Sequence, residues 1–213
     1  MFALTWPIDL GHAGVLPLAV PFALYLFLGW GFIVGALTMT GLTAGKGAVR
    51  ALLKRYLIWR VDWHWYLVAF LLYPAIFLIA IGLNAHWTGA PVGAGATLAR
   101  NFFGASANLP LFILPFFLFE AIANGEELGW RGYVLPRLQA RYSAFISSLV
   151  LGLIWGFWHL PKYLGPENGN AFSLMMVKTL GDAILYTWLY NNTRGSLLLV
   201  TIFHATGNTA GFF

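Results

Sequence analysis

The sequence predicts an all-α fold, a polytopic helical bundle integral to a membrane, with about six transmembrane helices and a basic amphipathic helix at its surface. Two observations carry that expectation. Hydrophobic residues make up 60% of the chain, charged residues only 9%, and the mean hydropathy is +0.75, whereas about a quarter of residues are charged in soluble domains. Charge is also absent from the windows 11–45, 63–99, 142–161 and 195–213. At 1.5 Å per residue each window can cross a hydrocarbon core of ~30 Å. An open chain in lipid must satisfy its own backbone polar groups, so these windows are expected to be helices.

The first span is placed at residues 13–40. It is too long for the apolar core of a signal peptide and no basic residue precedes it, so it is expected to be retained. Gly31 and Gly35 within it form a G-x-x-x-G, which suits close helix packing inside one chain or a dimer contact. Residues 44–62 follow, where KGAVRALLKRYLIWR sets Lys46, Arg50, Lys54, Arg55 and Arg60 among apolar residues at near-helical spacing. That is the pattern of an amphipathic helix on the cytoplasmic surface. The second span is placed at 65–85, and the Gly-rich stretch 86–101 reads as a loop or re-entrant turn. The remaining spans are 102–125 with a helical extension toward residue 140, then 143–161, 171–191 and 196–213. No repeat or linker divides them, so residues 1–213 are read as a single transmembrane domain.

Alternating sides from the basic segment puts Arg137, Arg141 and Arg194 inside as well, and Asp9, Arg100, Lys162 and Glu167 outside. The net charge of +5 therefore points to membrane lipid headgroups as partners and not to nucleic acid. With no cysteine in the chain, thiolate metal sites, cysteine nucleophiles and disulfides are excluded together.

An ionised group at bilayer depth costs a few kcal/mol or more, which makes each one a functional candidate. Glu120, Glu126, Glu127, Arg131 and the pair Lys178 with Asp182 qualify. Glu127 and Arg131 are four apart on one helical face and can neutralise each other. Glu120 lies seven before Glu127 and shares that stripe, so it can join the pair or face an aqueous cavity. Glu126 points about 100° away, with no basic residue three or four positions off. It is left as the unpaired acid and a candidate general base. Lys178 and Asp182, again four apart, read as a neutralised pair.

His12, His64 and His86 lie near span ends beside Trp or Gly, where an interfacial role is the simple reading. His159 ends the run LVLGLIWGFWHLP, and His204 lies mid-span with Asn208 four residues on. If the chain reverses near residues 141–142, the arms to Glu126 and His159 are nearly equal, and antiparallel helices bring the two to one depth. Any one of these residues alone is an ordinary packing residue; their conjunction is a set of roles. Glu126 and His159 can hold and deprotonate water, while His204 and Asn208 can donate to the oxyanion formed when water attacks a carbonyl.

Three motifs then resemble the CAAX prenyl protease and bacteriocin-processing family, the CPBP or Abi membrane proteases. E-E-x-x-x-R is met by Glu126, Glu127 and Arg131, followed by GYVLPRL; F-x-x-x-H is met by Trp155 and His159, with Trp for Phe; H-x-x-x-N is met by His204 and Asn208, after TRGSL. The resemblance covers roughly residues 115–213. It implies a multi-pass intramembrane endopeptidase, of the cell membrane, of the glutamic type. Glu126 and His159 would activate water, His204 and Asn208 would form the oxyanion hole, and Glu127 and Arg131 would support them. Trp155 would pack near the site. The family site needs no metal or cofactor, and its substrates are peptides or proteins, with or without a prenyl group. Three other readings compete: a zinc protease using Glu126, His159 and His204, a catalytically silent immunity or scaffold protein, and a small transporter relaying protons through Glu126 and Lys178 with Asp182.

Overall fold

The computed structural model describes residues 2–18, 21, 30–89, 108–164 and 171–212. Every element among them is helical: α1 (Phe2–His12), α2 (Trp30–Lys54), α3 (Trp63–Thr88), α4 (Pro110–Ala123), a π-helix (Leu128–Val134) running into α5 (Leu135–Gln139), α6 (Ala144–Trp158), α7 (Ala171–Asn192) and α8 (Leu197–Phe212). Short 3₁₀ turns follow α2 and α6 at Arg55–Leu57 and Leu160–Tyr163. Large apolar side chains such as Leu42, Leu78, Leu111 and Ile122 stand on the surface, the reverse of a soluble exterior. The chain is an all-helical membrane bundle, as its composition requires. By length and composition Trp30–Leu57 and Trp63–Thr88 are long and apolar enough to cross a membrane. By contrast α6 has 15 residues, short of the ~20 that a perpendicular crossing needs.

Several boundaries differ from expectation for local reasons. Residues 2–12 form a helix that the hydropathy pattern did not mark, and the chain leaves it at Gly14 (φ 69°); α2 is described from Trp30. Within the expected span 13–40, residues 19–20 and 22–29 lie outside the described part. The basic helix expected over 44–62 is the far part of α2, set off by a kink at Gly45 (φ 79°), and it stops at Lys54. Residues 86–88 complete α3, which Gly89 caps at φ 69°; residues 90–101 of the expected loop, with Arg100, are not described, and neither is Glu167. The span expected at 102–125, described from residue 108, does not run unbroken toward 140. α4 stops at Ala123 and Asn124 is extended (φ −78°, ψ 96°), before the chain turns helical again at Glu126.

The chain divides into two compact units, residues 1–59 with 125–198 and residues 60–124 with 199–213. In the first, α6 and α7 form an antiparallel pair seated on Gly152 and Gly156. A Cβ at Gly152 would stand 3.0 Å from the Leu180 backbone, and one at Gly156 would stand 2.5 Å from Met176 Sδ. Small residues four apart allow this approach. Phe32 of α2 inserts against Trp130 and Trp158, with ring centroids 4.8 and 5.0 Å apart. The N-terminal helix α1 is tied to the end of α6, because Trp158 Nε1 donates to Thr5 Oγ1 at 2.7 Å and Trp6 Nε1 donates to the Trp158 carbonyl at 3.1 Å. At the other end of α6 and α7, Arg55 donates to the Tyr190 hydroxyl, and Ser196 Oγ donates to the Ile58 carbonyl at 2.7 Å.

In the second unit α3, α4 and α8 meet through aromatic contacts. Tyr73 packs on Phe203 at 4.5 Å and Phe116 stacks on Phe212 at 4.4 Å. An apolar cavity of about 560 Å³ lies among Phe70, Phe77, Phe117 and Thr206.

The α6–α7 contact is the part of the fold least able to absorb a side chain. Replacing Gly152 by Val is expected to destabilise the purified protein by about 1–3 kcal/mol, whereas Gly82→Ala, where a Cβ meets nothing within 4 Å, is expected to be neutral or mildly stabilising. Thermal unfolding in detergent, followed by size-exclusion monitoring, measures both.

Candidate active site

The first unit holds the acidic motif and the first histidine. Glu126 opens the helical stretch that continues through the π-helix, and its Oε2 accepts from two indoles, Trp155 Nε1 at 3.0 Å and Trp130 Nε1 at 3.3 Å. The acid that the sequence left without a partner is thus held by neutral donors. One carboxylate oxygen receives both, and a carboxylate offers about four acceptor sites.

Glu127, one residue on, faces elsewhere, as the helical turn requires. Its Oε1 accepts from Arg131 Nη1 at 2.9 Å, and both side chains are 0% exposed. The guanidinium lies over the Trp155 ring at 4.7 Å and the Tyr186 ring at 4.4 Å. Both rings, whose centroids stand 5.6 Å apart, pack against the cation with their negative π surface.

The widened π turns between Leu128 and Val134 have a local cause. Pro136 lacks an N–H and its ring excludes the carbonyl four residues back, so an α-helix cannot run evenly through this point. The Leu135 N–H bonds instead to the Trp130 carbonyl, five residues back. Gly132 lets this segment approach Leu52 and Leu197, whose methyls would stand 2.8 and 3.2 Å from a Cβ there.

His159 follows α6. Its Nδ1 lies 2.9 Å from the Trp155 carbonyl, an acceptor, which assigns the proton to Nδ1 and the lone pair to Nε2. The ring meets Trp158 edge-on at 4.7 Å and is 9% exposed. Trp155 therefore bonds Glu126 through its indole and His159 through its carbonyl. Trp155 is thus a contact that Glu126 and His159 share. Its donor role is what the sequence reading lacked, since that reading gave the residue packing alone.

The second unit holds the other motif. His204 and Asn208 lie four apart on α8, with His204 3% exposed and Asn208 exposed. Asn124 Nδ2 lies 3.2 Å from His204 Nε2, and Asn208 Nδ2 donates to Glu120 Oε2 at 2.7 Å. Glu120 is thus the partner of Asn208 and not a member of the Glu127 stripe. The helix break at Asn124 removes the seven-residue register on which that stripe depended. Asn124 itself carried no signal in the sequence.

Lys178 and Asp182 pair at 2.6 Å as expected, the lysine half-exposed and the acid buried. His64 and His86 are exposed beside Trp65 and Trp87 at the two ends of α3; the His12 side chain is not described. Among the described residues, within neither unit do three histidine or carboxylate side chains gather as metal ligands do.

Truncating one member of a buried ion pair leaves the other charged and dry, at about 3–5 kcal/mol. Arg131→Met is therefore expected to be far less stable than wild type in detergent. Glu127→Leu added to it should recover much of the loss, because the double variant buries no charge. Thermal unfolding of the four proteins of this cycle gives the coupling.

Comparisons with known proteins bear on the same stretch of chain. Residues 106–210 match the family described as type II CAAX prenyl endopeptidase Rce1-like. The chain is 33% identical over 147 residues to "CAAX prenyl protease 2" of Methanococcus maripaludis, an alignment covering 64% of this chain and 52% of that protein. The chain spans about half the length of this curated relative. The family match takes in Glu126, Glu127, Arg131, His159, His204 and Asn208, and together with the relative it makes this helical membrane protein similar to the Rce1-like CAAX prenyl endopeptidases of the CPBP family.

Proposed function

We propose that the protein is an intramembrane endopeptidase of the glutamic type, a multi-pass enzyme of the cell membrane. One observation carries the reading: a half-buried carboxylate and an imidazole, from the ends of two antiparallel helical segments, are held by the same residue, Trp155. Its agreement with the family motifs supports the assignment of roles. Glu126 and His159 orient a water molecule, and Glu126 accepts its proton as the oxygen attacks the scissile carbonyl carbon. The indole N–H groups keep the carboxylate oriented toward the water. His204 and Asn208 donate hydrogen bonds to the oxyanion. Collapse of the tetrahedral intermediate breaks the C–N bond, and the proton taken by Glu126 passes to the leaving nitrogen. Glu127 and Arg131 take no part in proton transfer; their bond and the aromatic faces around it hold Trp155 and the helix that carries Glu126.

The relative's name, CAAX prenyl protease 2, supports a peptide or protein substrate with or without a prenyl group. Membrane lipids are the surrounding partner, and the scheme uses neither metal nor cofactor.

The test is hydrolysis of a quenched fluorescent peptide panel, including a farnesylated C-a-a-X peptide, by purified protein. Glu126→Gln is expected to lower kcat/KM by ~10²–10⁴-fold, the usual contribution of a general base, and a chelator to leave the wild-type rate unchanged. Loss of activity to chelator with recovery on adding zinc would move the site to the metalloprotease reading. Absence of cleavage of every peptide would leave an immunity or scaffold protein.

A further inference from the structure

Glu120 is a carboxylate on an otherwise apolar helix, PLFILPFFLFEAIA, and the scheme above makes no use of it. Its Oε2 accepts from Asn208 Nδ2 at 2.7 Å, and four residues on, Asn124 Nδ2 meets His204 Nε2 at 3.2 Å. The two contacts form a ladder. Positions 120 and 124 are four apart at the end of α4, and they meet positions 208 and 204 of α8 in reverse order, as antiparallel helix faces do. All four residues belong to one compact unit.

The chemistry of each rung is specific. A primary amide has two N–H donors in one plane. Glu120 takes one of Asn208's, in a bond to a charged acceptor, which is shorter and stronger than a neutral one. That contact fixes the amide plane and directs the second N–H, which is bonded to nothing among the described residues, along one line. An asparagine without such a partner on an exposed helix face would rotate about its side-chain bonds and lose that direction. On the second rung the Asn124 amide donates, so His204 Nε2 carries the lone pair and the ring proton sits on Nδ1.

We propose that Glu120 and Asn124 are positioning residues for the oxyanion donors: Glu120 aims the second N–H of Asn208, and Asn124 fixes the ring and tautomer of His204. The proposal rests on the reading of His204 and Asn208 as oxyanion donors. It gives the intramembrane carboxylate Glu120 a task that a neutral acceptor of the same shape can also perform, which separates it from proton transfer.

Two measurements test it. In peptide hydrolysis, Glu120→Leu is expected to lower kcat by about tenfold or more while KM stays within about twofold, because a misaimed oxyanion donor costs part of the ~10²–10³ that a whole donor contributes. Glu120→Gln, which keeps an acceptor oxygen, is expected to retain activity within about threefold, and Glu120→Leu added to Asn208→Ala to cost nothing further. Equal losses in Glu120→Leu and Glu120→Gln, or multiplicative losses in the double variant, would overturn the proposal. The second measurement needs no activity. In ¹⁵N-asparagine-labelled protein in detergent, the Asn208 side-chain pair is assigned by its disappearance in Asn208→Ala. One proton of the pair is expected far downfield in wild type and displaced upfield in Glu120→Leu. An unshifted pair sinks the inference even if peptides are cleaved; a shifted pair in a protein that cleaves nothing sustains the Glu120 contact and removes the peptidase reading instead.

Discussion

A guanidinium and a carboxylate sealed from water organise the first unit. Taking such a pair out of water costs several kcal/mol per ion, repaid only when geometry and surroundings are closely controlled. Here the control comes from three segments at once. The π-helix supplies Arg131 four residues after Glu127, α6 lays Trp155 against the cation at 4.7 Å, and α7 lays Tyr186 against it at 4.4 Å. The pair therefore fixes how these helices meet, and the site inherits that rigidity through Trp155, whose ring face covers Arg131 while its N–H holds Glu126.

The second unit answers its carboxylate with a neutral donor. Glu120 and Asn124 in an apolar setting meet Asn208 and His204, each polar group answering another across two helices. Lys178 and Asp182 on α7 are the simplest case, a pair on one face with the lysine reaching outward. Each carboxylate among Glu120, Glu126, Glu127 and Asp182 has a named donor, as a low-dielectric interior demands. The donors differ in kind: an amide, two indoles, a guanidinium and an ammonium. Glu127 takes a guanidinium, whereas Glu126 takes two indole N–H groups, which carry no charge.

Much of this was legible in the sequence. Helical periodicity alone sufficed for the Glu127–Arg131 and Lys178–Asp182 pairs, and for the divergence of Glu126 from its neighbour. Counting residues about the turn near 142 pointed Glu126 toward His159, and both bond Trp155. What the sequence could not carry were contacts between segments distant in the chain. Nothing in a hydropathy pattern says that the Trp155 edge points at a carboxylate 29 positions earlier, or that Asn208 reaches Glu120. The Glu120 stripe failed for a local reason, since two residues, Asn124 and Gly125, interrupt the helix and reset its phase. Helix α1 was missed because an 11-residue helix containing Asp9 and Pro7 gives no membrane signal, although its Thr5 is buried against Trp158.

The central claim is that Glu126 activates water and does not itself attack the peptide. Carboxylates do serve as nucleophiles in other enzymes, through covalent intermediates, so the distinction has a chemical readout. A single turnover in ¹⁸O-water, with enzyme in excess over a peptide and the product analysed by mass spectrometry, separates the two. Direct water attack requires one ¹⁸O in the new carboxyl group of every product molecule on the first turnover. Product carrying only ¹⁶O, with the label recovered in Glu126, would mean that the carboxylate oxygen was transferred, and would contradict the account.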